Sequence, residues 1–200
     1  MANSTDITGL ILAGGKSTRM GGLDKALLPL NGRPMIEWVI DRFRPQVDSL
    51  ILNCNSHEAA LAALGYPIII DVIAGYPGPL AGLHAGITCA NTELLACVPC
   101  DVPLLPSDMV VRLHQALTTT KADIAVARTS SGLQPTFLLC RCTLGPSIED
   151  FLAGGRRVFW HWLTRQRYVE VAFADEAAFS NINTPQDMER IAFSLTACRT

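Results

Sequence analysis

The chain has 200 residues, 49% of them apolar, and a net charge of −2, with a pI near 6.1. That length suits one domain over residues 1–200 with a substantial core, and the apolar share excludes a disordered chain. The charge balance offers no general attraction to nucleic acid or to an anionic membrane. No apolar run approaches the about 20 residues of a membrane span, and Met1–Asp6 lacks the basic start of a secretion signal, so the expected location is the cytoplasm.

Short apolar runs alternate with helical stripes along the chain. Ile7–Leu12, closing on Leu10-Ile11-Leu12, predicts a buried first strand. Pro34 suits a helix start, and Met35, Ile36, Val39, Ile40 and Phe43 form the apolar stripe of that helix. Ser49–Asn53 and Ile68–Ile70 follow as strands; the triple isoleucine fits a strand covered on both faces, as in a parallel sheet. Pro77-Gly78-Pro79-Leu80-Ala81-Gly82 predicts a rigid turn entering a helix. Leu94–Val98 is the next strand, and Met109, Val110, Leu113 and Leu117 mark the next helix. Asp123–Ala127, Thr136–Cys140 and Tyr168–Val171 complete the strands. Before the last of them, Gly154-Gly155-Arg156-Arg157 leads into Val158-Phe159-Trp160. This is either a helix whose basic first turn greets an anion or a solvated basic face. The final helix carries its own start signal: Thr184 as cap, Pro185 in the first turn, Asp187 where a capping acid belongs. Met188, Ile191, Ala192 and Leu195 are its buried face. Strands alternating with helices imply right-handed crossovers and a three-layer, Rossmann-like α/β domain with a mostly parallel central sheet.

The segment Leu12–Lys25 carries the most chemistry. It runs from the first strand into a loop with four glycines and three cations, Lys16, Arg19 and Lys25. Glycine lets backbone approach a ligand closely, and successive free N–H groups make a concave anion site. Such a loop at the carboxyl end of a first parallel strand suits a nucleoside triphosphate, held locally by the backbone of glycines such as Gly14 and Gly15 and by the cations. It is not a Walker A loop, because the first glycine of that motif would fall on Leu10, inside the strand. The dinucleotide fingerprint Gly-x-Gly-x-x-Gly is also absent.

Ligands of such folds sit beyond the carboxyl ends of the strands, at a switch in strand order. Three polar residues stand at strand ends: Asn53, Asp71 and Asp101. A carboxylate at Asp101 suits Mg²⁺, which takes oxygen ligands and shares them with substrate phosphates. The small residues up to Gly82 either let a base or ribose pack against backbone or form a plain turn. Asn181 and Asn183 are either neutral ligand contacts or turn and capping residues. Seven cysteines, an odd number, with no secretion signal argue for reduced thiols. Cys97-Val-Pro-Cys100 has redox or metal-ligand spacing, yet its first cysteine sits in an apolar run, which favours small core-filling residues. The four histidines are scattered, and nothing near them resembles a triad or a zinc motif.

Four motifs in order resemble the molybdenum cofactor guanylyltransferase family: Leu12-Ala-Gly-Gly-x-Ser-x-Arg-Met-Gly-x-x-Lys25, Tyr76-Pro-Gly-Pro-Leu-Ala-Gly82, Cys100-Asp-Val-Pro103 and Asn181-Ile-Asn-Thr-Pro185. They span nearly the whole chain. The resemblance implies a nucleotidyltransferase fold with a GTP-binding N-terminal part and a molybdopterin-binding C-terminal part. The implied reaction is transfer of GMP from GTP to the terminal phosphate of molybdopterin, in its molybdenum-loaded form, with Mg²⁺ and release of pyrophosphate. It also implies roles: Leu12, Ala13 and Gly14 in the nucleotide segment, Lys25 on phosphate, Asn53 and Asp71 on the nucleotide, Asp101 on Mg²⁺ and GTP, and Asn181 and Asn183 on the pterin side. Lys25, Asp101 and Arg19 would be the catalytic groups. A phosphate acceptor is largely ionised at neutral pH, so charge neutralisation and positioning are needed, and a general base is not. By the same analogy the partners are GTP, molybdopterin, molybdenum-insertion proteins and chaperones of apo-molybdoenzymes; a monomer is expected, although no sequence feature sets the oligomeric state. The rivals are a cytidylyltransferase acting on molybdopterin or on another sugar or alcohol phosphate, and a non-catalytic nucleotide-binding module. The Leu-Ala-Gly-Gly loop, against Leu-Ala-Ala-Gly in cytidylyl enzymes, favours guanine.

Overall fold

The computed structural model describes residues 6–14, 25–55, 58–73 and 78–197. Nine strands are described: β1 (Ile7–Leu12), β2 (Pro29–Leu30), β3 (Arg33–Pro34), β4 (Ser49–Asn53), β5 (Ile68–Ile69), β6 (Leu94–Pro99), β7 (Ile124–Thr129), β8 (Gly132–Arg141) and β9 (Tyr168–Ala172). The α-helices are α1 (Met35–Phe43), α2 (Glu58–Ala62), α3 (Pro79–Cys89), α4 (Met109–Thr120), α5 (Gly145–Ala153), α6 (Phe159–Leu163) and α7 (Pro185–Ala197).

Seven strands form one sheet in the order β5-β4-β1-β6-β8-β7-β9. β4, β1 and β6 run parallel, as do β7 and β9, while β8 is antiparallel to both β6 and β7. The chain leaves β1 towards β4 and returns to the other side of β1 at β6. That reversal is the switch point, and its crevice opens beyond the carboxyl ends of β1 and β6.

Each face of the sheet is covered, which makes the three layers. Ile7 and Ile11 of β1, with Ala96 and Val98 of β6, meet Ile36, Val39 and Phe43 of α1 and Met109, Leu113 and Leu117 of α4. Leu10 and Leu12, with Leu95 and Cys97, meet Leu80 and Leu83 of α3, Ile148 and Leu152 of α5, and Trp162 of α6. Alternation along β1 and β6 thus feeds both cores, as a sheet with two dry faces requires.

A third cluster decides where the chain's last segment lies. Leu28 precedes β2 and Leu30 lies in it, Met35 and Trp38 come from α1, and Ile182, Ile191 and Leu195 come from the C-terminal segment. The indole N–H of Trp38 donates to the Leu30 carbonyl at 2.9 Å, satisfying a buried donor. Asn31 reaches across to the Ala192 carbonyl at 2.9 Å. The hairpin left no mark in the hydrophobic pattern, because each arm has only two residues.

One expectation is corrected and one alternative, the solvated basic face, is borne out. Ile68–Ile70 is not covered on both faces: β5 is a two-residue edge strand, and Ile70 is 55% exposed. Parallel pairing does not itself make a strand central. Arg156 and Arg157 are not a helical first turn, since α6 begins at Phe159. They lie exposed before it, with the Arg156 guanidinium 5.0 Å from the Phe151 ring centroid.

The start of α7 follows its sequence signal. Asp187 N–H donates to Thr184 Oγ1 at 3.1 Å, and Thr184 N–H donates to Asp187 Oδ2 at 3.0 Å, a reciprocal cap. The Thr184 hydroxyl, with the N–H groups of Asn183 and Thr184, holds the Asp187 carboxyl below its ordinary range. Thr184→Ala is therefore expected to cost about 1 kcal/mol and to lower Tm by about 2–4 °C in a thermal melt. An unchanged Tm would deny the cap any share in holding α7.

Candidate active site

The residues at the carboxyl ends of β1, β4, β5 and β6 converge on the switch-point crevice, in two hydrogen-bonded groups. The first is built on β4 and β5. Ala13 N–H donates to the Asn53 carbonyl at 2.8 Å, continuing the β1–β4 ladder to the mouth of the loop. Asn53 is almost fully buried, at 3% exposure, so its amide must be partnered. Its Nδ2 donates to Asp71 Oδ1 at 3.0 Å. Asn55 joins the pair: its Nδ2 donates to Asp71 Oδ2 at 2.8 Å, and its Oδ1 accepts the Asp71 N–H at 2.8 Å.

Gly82 explains why α3 passes so close. A Cβ there would stand 2.4 Å from Asn53 Oδ1 and 2.6 Å from Leu12 Cδ2. Only hydrogen fits between the helix and the end of β1. Gly82→Ala is expected to push Asn53 off Asp71, costing about 1–3 kcal/mol in stability and weakening nucleotide binding at the same time. Thermal melts and equilibrium GTP titration check this; wild-type values in both would show that the crevice yields without cost.

The second group is built on β6 and the segment before α7. Asp101 follows β6 at 7% exposure. Lys25 Nζ donates to Asp101 Oδ2 at 2.5 Å and to Asn183 Oδ1 at 2.8 Å. Asn181 Nδ2 donates to the same Asp101 oxygen at 3.2 Å. The placement of the two asparagines follows from Ile182 between them. Ile182 is fully buried in the third core cluster, and its N–H donates to the Asp101 carbonyl at 3.0 Å. In extended chain its neighbours point the opposite way, towards Asp101 and Lys25.

Asp101 Oδ1 is buried and has no hydrogen-bond partner among the described residues. An unsatisfied buried carboxylate oxygen is costly, and a cation would satisfy it. Among the described residues no group of three or more His, Cys, Asp or Glu could by itself hold a metal ion. A Mg²⁺-type cation needs few protein ligands, since it shares its oxygen ligands with substrate phosphates and water. The residues present therefore fit a divalent cation delivered with the nucleotide.

Of the residues singled out in the sequence, Leu12, Ala13, Gly14, Lys25, Asn53, Asp71, Gly82, Asp101, Asn181 and Asn183 share this rim. Gly15 and Arg19, with Lys16, Tyr76 and Pro77, lie outside the described residues. Sequence reasoning missed Asn55; its signal was the same as that of Asn53, an amide beyond a strand end.

The Cys97–Cys100 spacing makes no site. Cys97 packs in the cluster under α3, whereas Cys100 packs in the one under α1 and α4, so the two lie on opposite faces of the sheet. Burial raises the thiol pKa of Cys97 and of Cys140, and pushes that of Cys142 up to about 11. Such thiols stay protonated and unreactive. The described cysteines form no disulfide.

No helix among the described residues is long and apolar enough to cross a membrane. Residues 9–169 match the family model described as the MobA-like NTP transferase domain. The chain is 45% identical over 185 residues to a molybdenum cofactor guanylyltransferase of Yersinia pestis (strain Pestoides F), covering 92% of this chain and 94% of that one. Its fold superposes on the molybdopterin-guanine dinucleotide biosynthesis protein A of Archaeoglobus fulgidus with a TM-score of 0.80 at 22% identity, covering 95% of this chain and 99% of that one. It also superposes on a Mycobacterium tuberculosis H37Rv protein crystallised with manganese, with a TM-score of 0.70 at 19% identity, covering 95% of this chain and all of that one. With this fold, this rim and these relatives, the chain belongs to the MobA-like NTP transferase family and is a nucleotidyltransferase.

Proposed function

We propose that this enzyme transfers GMP from GTP to the terminal phosphate of molybdopterin, releasing pyrophosphate. An acceptor phosphate oxygen attacks the α-phosphorus of GTP, a new P–O bond forms, and the bond to the pyrophosphate oxygen breaks. The acceptor's second pKa is near 6, so it arrives largely ionised and no side chain has to take its proton. The difficulty is repulsion between two polyanions, and the chain's residues answer it by position and charge.

The observation that carries this reading is the Lys25 bridge: one cation joined at once to Asp101 and to Asn183. On this reading Asp101 faces the nucleotide phosphates and Asn183 the acceptor, so Lys25 sits where the two reactants meet. It offsets charge on the α-phosphate and the departing pyrophosphate. Arg19 and Gly15, in the glycine loop, add to the phosphate cradle. Asn181 and Asn183 orient the pterin side with uncharged donors and acceptors. Asn53 and Asp71 face the base, and Leu12–Gly14 line it with backbone.

Asp101 would hold a divalent ion, Mg²⁺ being the natural partner of a nucleoside triphosphate, and the ion would supply charge neutralisation on the phosphates. The printed name of the relative at 45% identity supports guanine and the molybdenum cofactor, and the manganese complex of the M. tuberculosis neighbour supports a divalent cation. The N-terminal half would then be the GTP part and the C-terminal half the molybdopterin part of one domain.

Pyrophosphate release, followed with GTP or CTP in the presence of molybdopterin and Mg²⁺, tests the reading. The expected result is turnover with GTP far above that with CTP. A preference for CTP overturns the base assignment, and nucleotide binding without pyrophosphate release overturns the enzyme reaction itself.

A further inference from the structure

We propose that Asn55 sets the base selectivity of this site, by locking the Asp71 carboxylate in the orientation that meets a purine bearing two adjacent donors. The inference rests on the guanine reading above.

Asp71 has little else to hold it. It lies two residues beyond β5, an edge strand of two residues, and its neighbours Ile70 and Val72 are 55% and 64% exposed. Packing therefore does not orient it. Asn55, two residues beyond β4, does so with one side chain. Its Oδ1 takes the Asp71 N–H at 2.8 Å, and its Nδ2 gives a hydrogen bond to Asp71 Oδ2 at 2.8 Å. Backbone and carboxylate are thus clamped together. Asn53 Nδ2 holds the other oxygen at 3.0 Å. Each carboxylate oxygen accepts two hydrogen bonds, so both retain one acceptor position while their plane is fixed. The β1 end lies against them: a Cβ on Gly14 would be in ordinary contact at 3.4 Å from Asn55 Nδ2 and 3.7 Å from Asn53 Oδ1.

Two fixed acceptors side by side pair with two adjacent donors, and the pair is charge-assisted and bidentate. Guanine offers N1–H beside its N2 amino group. Hypoxanthine keeps N1–H and lacks the amino group. Adenine and cytosine place a ring-nitrogen acceptor beside their single amino group, which a carboxylate repels. An unclamped Asp71 still meets a single donor, but must lose rotamer freedom to regain the bidentate pair. Loss of Asn55 should therefore fall on GTP and spare ITP.

The full chain is titrated with GTP, ITP and CTP in Mg²⁺, without pterin, as wild type, Asn55→Ala and Asn55→Asp. Wild type is expected to prefer GTP by at least about tenfold. Both variants should bind GTP about tenfold more weakly while ITP changes less than about twofold, with Tm within about 2 °C because Asn55 is exposed. A GTP-to-ITP ratio that stays at the wild-type value in both variants overturns the role of Asn55, whether both affinities fall together or neither falls. A wild type that favours CTP over GTP overturns instead the guanine reading beneath it, so the two failures are distinguishable.

Discussion

Asp101→Ala is expected to nearly abolish turnover, lowering kcat by a factor of about 10²–10³ or more, the ~3–4 kcal/mol of one lost preorganised electrostatic contact. The reason lies in its two oxygens. Oδ2 is taken by Lys25 and Asn181, at 2.5 and 3.2 Å. Oδ1 is buried and unpartnered. The folded chain keeps that oxygen desolvated, which is unfavourable for folding and useful only if a cation arrives. The fold should survive the substitution, because the unpartnered oxygen is removed together with the ion pair, and sites of this kind trade stability for function. Asp101→Asn sharpens the test. Its amide keeps the size of the carboxylate and can still accept from Lys25, but lacks the negative charge that draws a divalent cation. Pyrophosphate release assayed across a Mg²⁺ titration, with Tm as the control for folding, separates the outcomes. Wild-type activity in either variant would refute the metal role.

Lys25→Met is expected to lower kcat/KM by about a hundredfold and to weaken GTP binding as well. Methionine keeps the apolar stem and removes only the ammonium. What is lost is one cation held at 2.5 Å from Asp101 and 2.8 Å from Asn183 Oδ1. Lys25→Arg should recover little. A planar guanidinium is a fork, while this place calls for a compact charge between two groups that approach from different elements. Steady-state kinetics with GTP as the varied substrate, beside equilibrium GTP titration, reads both effects. If kcat and GTP affinity stay at wild-type values, Lys25 is no phosphate contact. The two substitutions should also fail to add. Asp101 and Lys25 touch each other, so the double variant is expected to lose less than the sum of the two losses.

Much of this architecture is written in local patterns. The strands Ile7–Leu12 and Ser49–Asn53 lie where they are expected, because each is built around an apolar run, Leu10–Leu12 and Leu50–Leu52, that a strand between two dry faces requires. The stripes of α1 and α4 are legible for a similar reason: their spacing is the helix's own period. Thr184 and Asp187 mark the start of α7, since capping is chemistry between near neighbours. The gathering of Asn53, Asp71 and Asp101 at one edge of the sheet was legible as polar residues closing apolar runs, together with a general rule about parallel sheets.

The places where local reading fell short are those settled by distant partners. Ile68-Ile69-Ile70 has the composition of a buried strand, yet it pairs on one side only and leaves Ile70 in solvent. Nothing within three isoleucines says how many neighbours they acquire. Cys97 and Cys100 have the spacing of a redox pair, but three residues along an extended chain put them on opposite faces. The β2–β3 hairpin was too short to have a period. It emerged as the anchor that holds the C-terminal segment against α1.

The amino-acid order by itself determined the elements, their alternation and the chemical types gathered at strand ends, because those follow from periodicity and short-range hydrogen bonding. Tertiary structure alone decided that Lys25 meets both Asp101 and Asn183, 76 and 158 residues further along the chain, and that Asn55 clamps Asp71. Contacts between residues so far apart exist only once three separate apolar clusters have closed and fixed every strand end relative to the others. The burial that closes those clusters is non-directional, so no short stretch of chain records which polar groups it will bring together.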